Sequence, residues 1–149
     1  MDIYKVYKGV KQHLSTIAPV FYYIGQYTKG KDNTTYKVPA IYIEMPKYLP
    51  ITFFGKIKTA RSAPIKIHLI TNAPYKSHDN TIQDNALAEH NNMLNGIDKL
   101  MTGWALRDEQ GKLLTQQFIP TNNNSINFQG LTVFSVVTYN ADLFSYSLS

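Results

Sequence analysis

Apolar residues recur at three- and four-residue steps in the first segment of the chain: Ile3, Val6, Tyr7, Val10, Leu14 and Ile17. That spacing makes one stripe on a helix, with Lys5, Lys8, Lys11 and Gln12 on the other faces. Pro19 closes the helix, because the residue before a proline is pushed out of the helical region. The period then changes. Val20 to Tyr27 reads as a strand, "TKGKDNTT" as a turn cluster and Tyr36 to Met45 as a second strand. Together these predict a hairpin with a long tip. Pro39 must sit at a strand start or an edge, since it brings no N–H to a ladder.

Past Pro46 and Pro50, "ITFFGKIK" alternates as a strand, with Ile51, Phe53 and Ile57 on one face and Thr52, Phe54, Lys56 and Lys58 on the other. "TARSA" reads as a turn. "PIKIHLIT" alternates again, setting Ile65, Ile67 and Leu69 against Lys66, His68 and Ile70. A second helix is expected over about Ile82 to Gly103, its stripe made by Leu87, Leu94, Ile97, Met101 and Trp104 and its stop by Gly103. Then come a loop at "RDEQGK", a short strand from Leu113 to Ile119 and a turn at "PTNNNS". Leu131 to Tyr139 is the strongest strand signal in the chain. The order is helix, four strands, helix, two or more strands. It predicts an α+β domain with a mainly antiparallel sheet, and no repeat or linker divides residues 1–149.

The last strand is apolar on both faces: Leu131, Val133, Val137 and Tyr139 on one, Phe134 and Val136 on the other. One face can pack on the helices. The second needs another cover, and a neighbouring subunit and a barrel-like closure of the sheet are equal candidates.

Composition adds bounds. The 149 residues, 44% of them hydrophobic, suit one core-forming domain. No apolar run approaches the ~18 residues of a membrane-spanning helix. The first residues, MDIYKVYKGVKQHL, lack the apolar centre and cleavage site of a signal peptide. The absence of cysteine excludes disulfides and thiolate metal sites and fits a reducing compartment. Eleven Tyr and seven Phe, among many Asn and Thr, favour strands and polar loops over a helical bundle. Charge is uneven. Residues 1–66 hold ten lysines and Arg61 against Asp2, Asp32 and Glu44, a net of +8; residues 67–149 have a net of −3. A basic half suits a nucleic-acid partner, although lysines this scattered fit a solvated surface better.

The stretch with most apparent chemistry is "HDNTIQDNALAEH", residues 78–90. Helix geometry disperses it. His90 falls inside the apolar stripe, while Asp84 and Glu89 lie off it on opposite sides. A zinc-protease helix needs two histidines one turn apart with a glutamate between them, and His78 and His90 are twelve apart. Thr81 and Asp84 fit a capping box instead, and His90 reads as a core or interface histidine making one hydrogen bond. No nucleophile elbow, Walker lysine or dinucleotide glycine pattern is present. His68 lies beside Lys66 with no carboxylate partner evident in sequence. No residue is therefore assigned a catalytic, cofactor-binding or metal-binding role.

The layout resembles the tail-terminator and head–tail joining proteins of long-tailed bacteriophages. The likeness rests on an amphipathic first helix running into a strand, "YKVYKGVKQHLSTIAPVFY", then "PAIYIEMP" and the alternating "APIKIHLIT". A polar loop, a helix of the type "NALAEHNNMLNGIDKLMTGW" and a two-faced closing strand, "GLTVFSVVTYNADLF", follow. It spans about residues 3 to 144 and is one of element order and texture, not of a sharp motif. It implies a structural virion protein of the tail or neck, assembled in the host cytoplasm, without enzymatic activity or cofactor. Such proteins form rings, usually hexameric, that finish the tail tube and dock the head connector. On that reading Phe134 and Val136 lie at the subunit seam. Lys56, Lys58 and Arg61 face a lumen through which genomic DNA passes. Two other classes compete: a basic α+β module for single-stranded nucleic acid, its tyrosines stacking bases, and a small hydrolase whose site assembles in space.

Overall fold

A computed structural model describes residues 1–26, 37–73, 80–121, 125–129 and 131–146. The turn expected over 28–35, His78 and the middle of "PTNNNS" lie outside them. Two helices and a seven-stranded sheet make an α+β fold: α1 (Ile3–Leu14), β1 (Val20–Tyr22), β2 (Ala40–Glu44), β3 (Ile51–Phe54), β4 (Ile57–Asn72), α2 (Asn80–Met101), β5 (Ile119–Pro120), β6 (Asn127–Gln129) and β7 (Thr132–Tyr146).

The α1 stripe is buried as its spacing predicts. Val6, Val10 and Leu14 are inaccessible, and Ile3, Tyr7 and Ile17 pack against the same core. The Asp2 carboxylate accepts the Lys5 N–H at 3.1 Å and so caps the first turn. The helix stops at Leu14, ahead of Pro19, and Ser15 ends it by donating its hydroxyl to the Gln12 carbonyl. Gly9 permits a close approach here, since a methyl group at that position would fall 2.5 Å from Leu106 Cδ1.

The sheet is built on one long antiparallel ribbon, β4 against β7. Its order is β1-β2-β4-β7-β5, with β3 along the first residues of β4 and β6 along the first residues of β7. Five of the six strand pairs are antiparallel; β1 and β2 are parallel, Val20 opposite Ile41 and Tyr22 opposite Ile43. The hairpin expected between these two strands is therefore not formed. Alternation tells which face a residue takes, but it is silent on the direction of the neighbouring strand. Pro39 does sit immediately ahead of β2.

Five further expectations change. "TARSA" is no turn: β4 runs through it, and Arg61 and Ser62 together oppose Asp142 in a β-bulge. Ser62 there has φ 49°, and its N–H donates to the Asp142 carboxylate at 2.8 Å. The reversal lies earlier, at Gly55–Lys56, where Gly55 takes the positive φ (61°) that a two-residue hairpin turn demands. This puts Phe53 opposite Lys58 on one face, where the sequence pattern had separated them. Helix α2 begins at Asn80, so Thr81 is inside its first turn and is not the N-cap. Between Leu113 and Ile119 the chain makes only single bridges, from Leu113, Thr115 and Phe118. Leu131 precedes β7 and is exposed, while Ser135 takes a buried place on the face assigned to the apolar residues.

Both helices lie on one face of the sheet. There Ile41, Ile43, Ile65, Ile67, Leu69, Val137, Tyr139 and Leu143 meet Val10, Leu14, Ile97, Met101 and Phe118.

Candidate functional site

The dense stretch of acids and histidines resolves into a packing device. His90 is fully buried, and both ring nitrogens are bonded: Nδ1 to the Thr71 hydroxyl and Nε2 to the Ser135 hydroxyl, each at 2.8 Å. It ties α2 to β4 and β7 with two hydrogen bonds where one was expected. Burial holds its pKa below the usual histidine range, so the ring is neutral at pH 7. Asp84 and Glu89 are exposed and point away from it. Among the described residues no three of His, Asp and Glu converge on one point, and no buried side-chain polar atom lacks a partner. His13 acts similarly at the helix pair: Nε2 bonds the Leu100 carbonyl at 2.7 Å, and the ring stacks on Trp104 at 3.7 Å. Beside that stack a cleft of about 590 Å³ opens between α1 and the loop after α2, lined by Lys5, Lys8, Arg107 and Glu109 among others.

The second sheet face carries Phe134 and Val136. Cross-strand register arranges it in rows: Ala40–Ile70–Phe134, Tyr42–His68–Val136 and Glu44–Lys66–Thr138. The first row is apolar. Ala40, Tyr42 and Ile70 are buried, with Tyr23, Val38 and Phe134 packed around them. Phe134 and Val136 are each half-buried. The third row is charged. The Glu44 carboxylate bonds His68 Nε2 at 2.8 Å and lies 4.0 Å from Lys66 Nζ. Tyr23 stacks on the His68 ring at 4.0 Å. Burial lowers the His68 pKa, opposed by the Glu44 hydrogen bond and charge and assisted by Lys66. Sequence reasoning missed Glu44 because it comes from a neighbouring strand. Only the register of β2 on β4, which sets Glu44 opposite Lys66, reveals it.

The predicted basic group lies elsewhere. Lys56 and Lys58 are at the tip of the β3–β4 hairpin, and Arg61 is at the bulge behind it. Phe134 pairs with Ile70, whereas Lys58 pairs with Ser145. These positions are about 36 Å apart along β7 at ~3.3 Å per residue. The two predicted groups therefore occupy opposite ends of one ribbon. The hairpin and the segment leading into it also expose large apolar rings that the sequence pattern does not single out: Phe54 is 84% exposed and Phe53 69%, with Tyr48 ahead of β3 at 81%. The signal for them was present, since two adjacent phenylalanines stand immediately before the Gly55–Lys56 pair, but alternation alone assigns Phe53 to a core face.

No helix among the described residues is long and apolar enough to cross a membrane. No protein-family model matches the chain, and no curated protein matches it.

Proposed function

We propose that this chain is a structural ring subunit of a bacteriophage virion, placed at the head–tail junction, where the ring terminates the tail tube and docks the head connector. The observation that carries the reading is the asymmetry of the sheet. One face is sealed by two helices, while the other keeps Phe134 and Val136 half-buried in two adjacent rows, followed by the charged row of Glu44 and Lys66. A second copy of the same chain can add cover to this half-buried face, and repetition of such a contact around an axis closes a ring. Phe134 and Val136 form the seam, and the hairpin bearing Lys56, Lys58 and Arg61 turns toward DNA in the lumen, where phosphate charge is the feature to be met. The scaffold role asks for no catalytic residue, metal or cofactor.

The test is mass and particle imaging of the assembled protein. The Phe134→Ser, Val136→Thr double variant should fold and fail to form rings, through loss of apolar contact worth roughly 25 cal/mol per Å². Rings formed normally by that variant would rule out this seam. The second reading, a basic nucleic-acid-binding module, is favoured by the aromatic and basic hairpin; it requires nucleic-acid affinity from a chain that stays monomeric.

A further inference from the structure

The ring reading assigns the hairpin only its charge. Its exposed rings call for more. Residues 45–61 contain Lys47, Lys56, Lys58 and Arg61 and no acid. Asp142, opposite the bulge, is engaged by the Ser62 N–H. Tyr48, Phe53 and Phe54 stand among these cations and are the three most exposed large hydrophobic residues of the described chain. Phe53 and Lys58 are direct cross-strand partners, with Lys58 Nζ 5.8 Å from the Phe53 ring centroid. Phe54 pairs with Ile57 and so lies on the opposite face of the hairpin.

A charged ligand for this tip must be a polyanion. Phosphate charge alone would be met by lysines on any surface, and it gives no reason for two phenylalanines in water. Duplex DNA hides its base faces within the stack and offers the rings nothing. Unpaired nucleotides offer both parts together: a phosphate for Lys58 and, one sugar away, a flat base for Phe53. We propose that the β3–β4 hairpin binds single-stranded nucleic acid, stacking unpaired bases on Phe53 and Phe54 while Lys56, Lys58 and Arg61 hold the phosphates. This rests on the reading that the hairpin faces DNA, and it narrows the partner to an unpaired segment, such as a single-stranded end of the genome.

The experiment is fluorescence anisotropy with the full chain and three labelled probes: a 12-nucleotide thymidine strand, a blunt duplex of equal length, and that duplex with a single-stranded overhang. The single strand and the overhang should bind at least tenfold more tightly than the blunt duplex. Phe53→Ala and Phe54→Ala should each weaken single-strand binding about tenfold, and Phe54→Trp should restore it. Lys56→Gln with Lys58→Gln should flatten the salt dependence by about 1.4 in log–log slope, as expected for two lost phosphate contacts. Far-ultraviolet circular dichroism and an unchanged melting temperature establish that each variant is folded. Equal affinity for strand and blunt duplex, or alanine variants without effect, would overturn base stacking. Binding to vesicles of anionic phospholipid with none to any oligonucleotide would make the tip a membrane-contacting element and end the proposal. Ring formation is scored separately by mass: a protein that forms rings but does not prefer single strands loses this inference alone, and one that binds strands as a monomer loses the ring reading alone.

Discussion

The β4–β7 ribbon passes through two environments. In the body, Ile65, Ile67 and Leu69 on β4 and Val133, Val137 and Tyr139 on β7 lie beneath the helices and are sealed from water. At the far end the same two strands continue, Ile57–Thr59 against Phe144–Tyr146, with β3 at their side and only partial burial. Both parts show the same alternation of apolar and polar residues. What differs is whether another element lies above it. An apolar face under a helix is a core, while an apolar face beyond the helices stays at the surface.

The difference can be broken most severely from the helix side. Val10→Asp would place an unpaired charge at a fully buried position of α1 and should cost several kcal/mol, on the order of the whole stability. Loss of the cooperative thermal transition is the expected result; a soluble variant with the parent's melting temperature would show that the stripe carries no core.

A matched pair of truncations sharpens the comparison. Ile67→Ala in the body should lower stability by about 2–5 kcal/mol in urea denaturation, because it opens a cavity in a sealed site. Phe54→Ala at the tip removes a larger side chain yet should stay within about 0.5 kcal/mol. Comparable losses at both positions would mean that the hairpin is covered in the folded monomer.

Acidification strikes the body and spares the tip. His68 and His90 both have pKa values lowered by burial, so the folded state binds fewer protons than the unfolded chain. Their contribution is fully present above the unfolded value of about 6.5 and is lost as pH falls from there through the folded values. Urea midpoints at pH 7.5, 6 and 5 should decline in that window, with a ceiling of about 1.4 kcal/mol per pH unit for each histidine. In His90→Gln the slope should be shallower, the remainder belonging to His68. A further effect is local: Asp2→Ala removes the cap of α1 and should cost about 1 kcal/mol.

These contrasts also explain what the sequence could disclose. The stripes of α1 and α2 were legible because a helix writes its buried face at a fixed step, and Val6, Val10, Leu94, Ile97 and Met101 obey it. The fan of Asp84, Glu89 and His90 was legible for the same reason. Relations between strands were not. The parallel setting of β1 on β2, the Glu44–His68 contact and the two hydroxyls on His90 all depend on which strand lies beside which. The basic group was found by composition alone, and its place at the end of an arm became visible only once Gly55 was known to reverse the chain. Leu131 shows the converse: hydrophobicity assigned it to a covered face, and it lies outside the strand, exposed.

The bulge at Arg61 and Ser62 sets the phase between the two parts of the ribbon. On β4 the residues of the helix-side core fall on odd numbers from Ala63 through Leu69, but on the other side of the bulge the core residue is Ala60. On β7 the phase never changes, from Val133 through Leu143. The extra residue therefore works like a half-turn inserted in a ribbon cable: every side chain toward the tip trades sides. As it stands, Phe53 and Lys58 look out on the helix side of the sheet and Phe54 on the other. Were Arg61 and Ser62 paired one-to-one instead, Arg61 would fall opposite Leu143 and Ala60 opposite Phe144, and the arm would carry the mirror assignment of rings and lysines. The two-against-one pairing at Asp142, held by the Ser62 N–H, is thus itself a determinant of what the arm can touch.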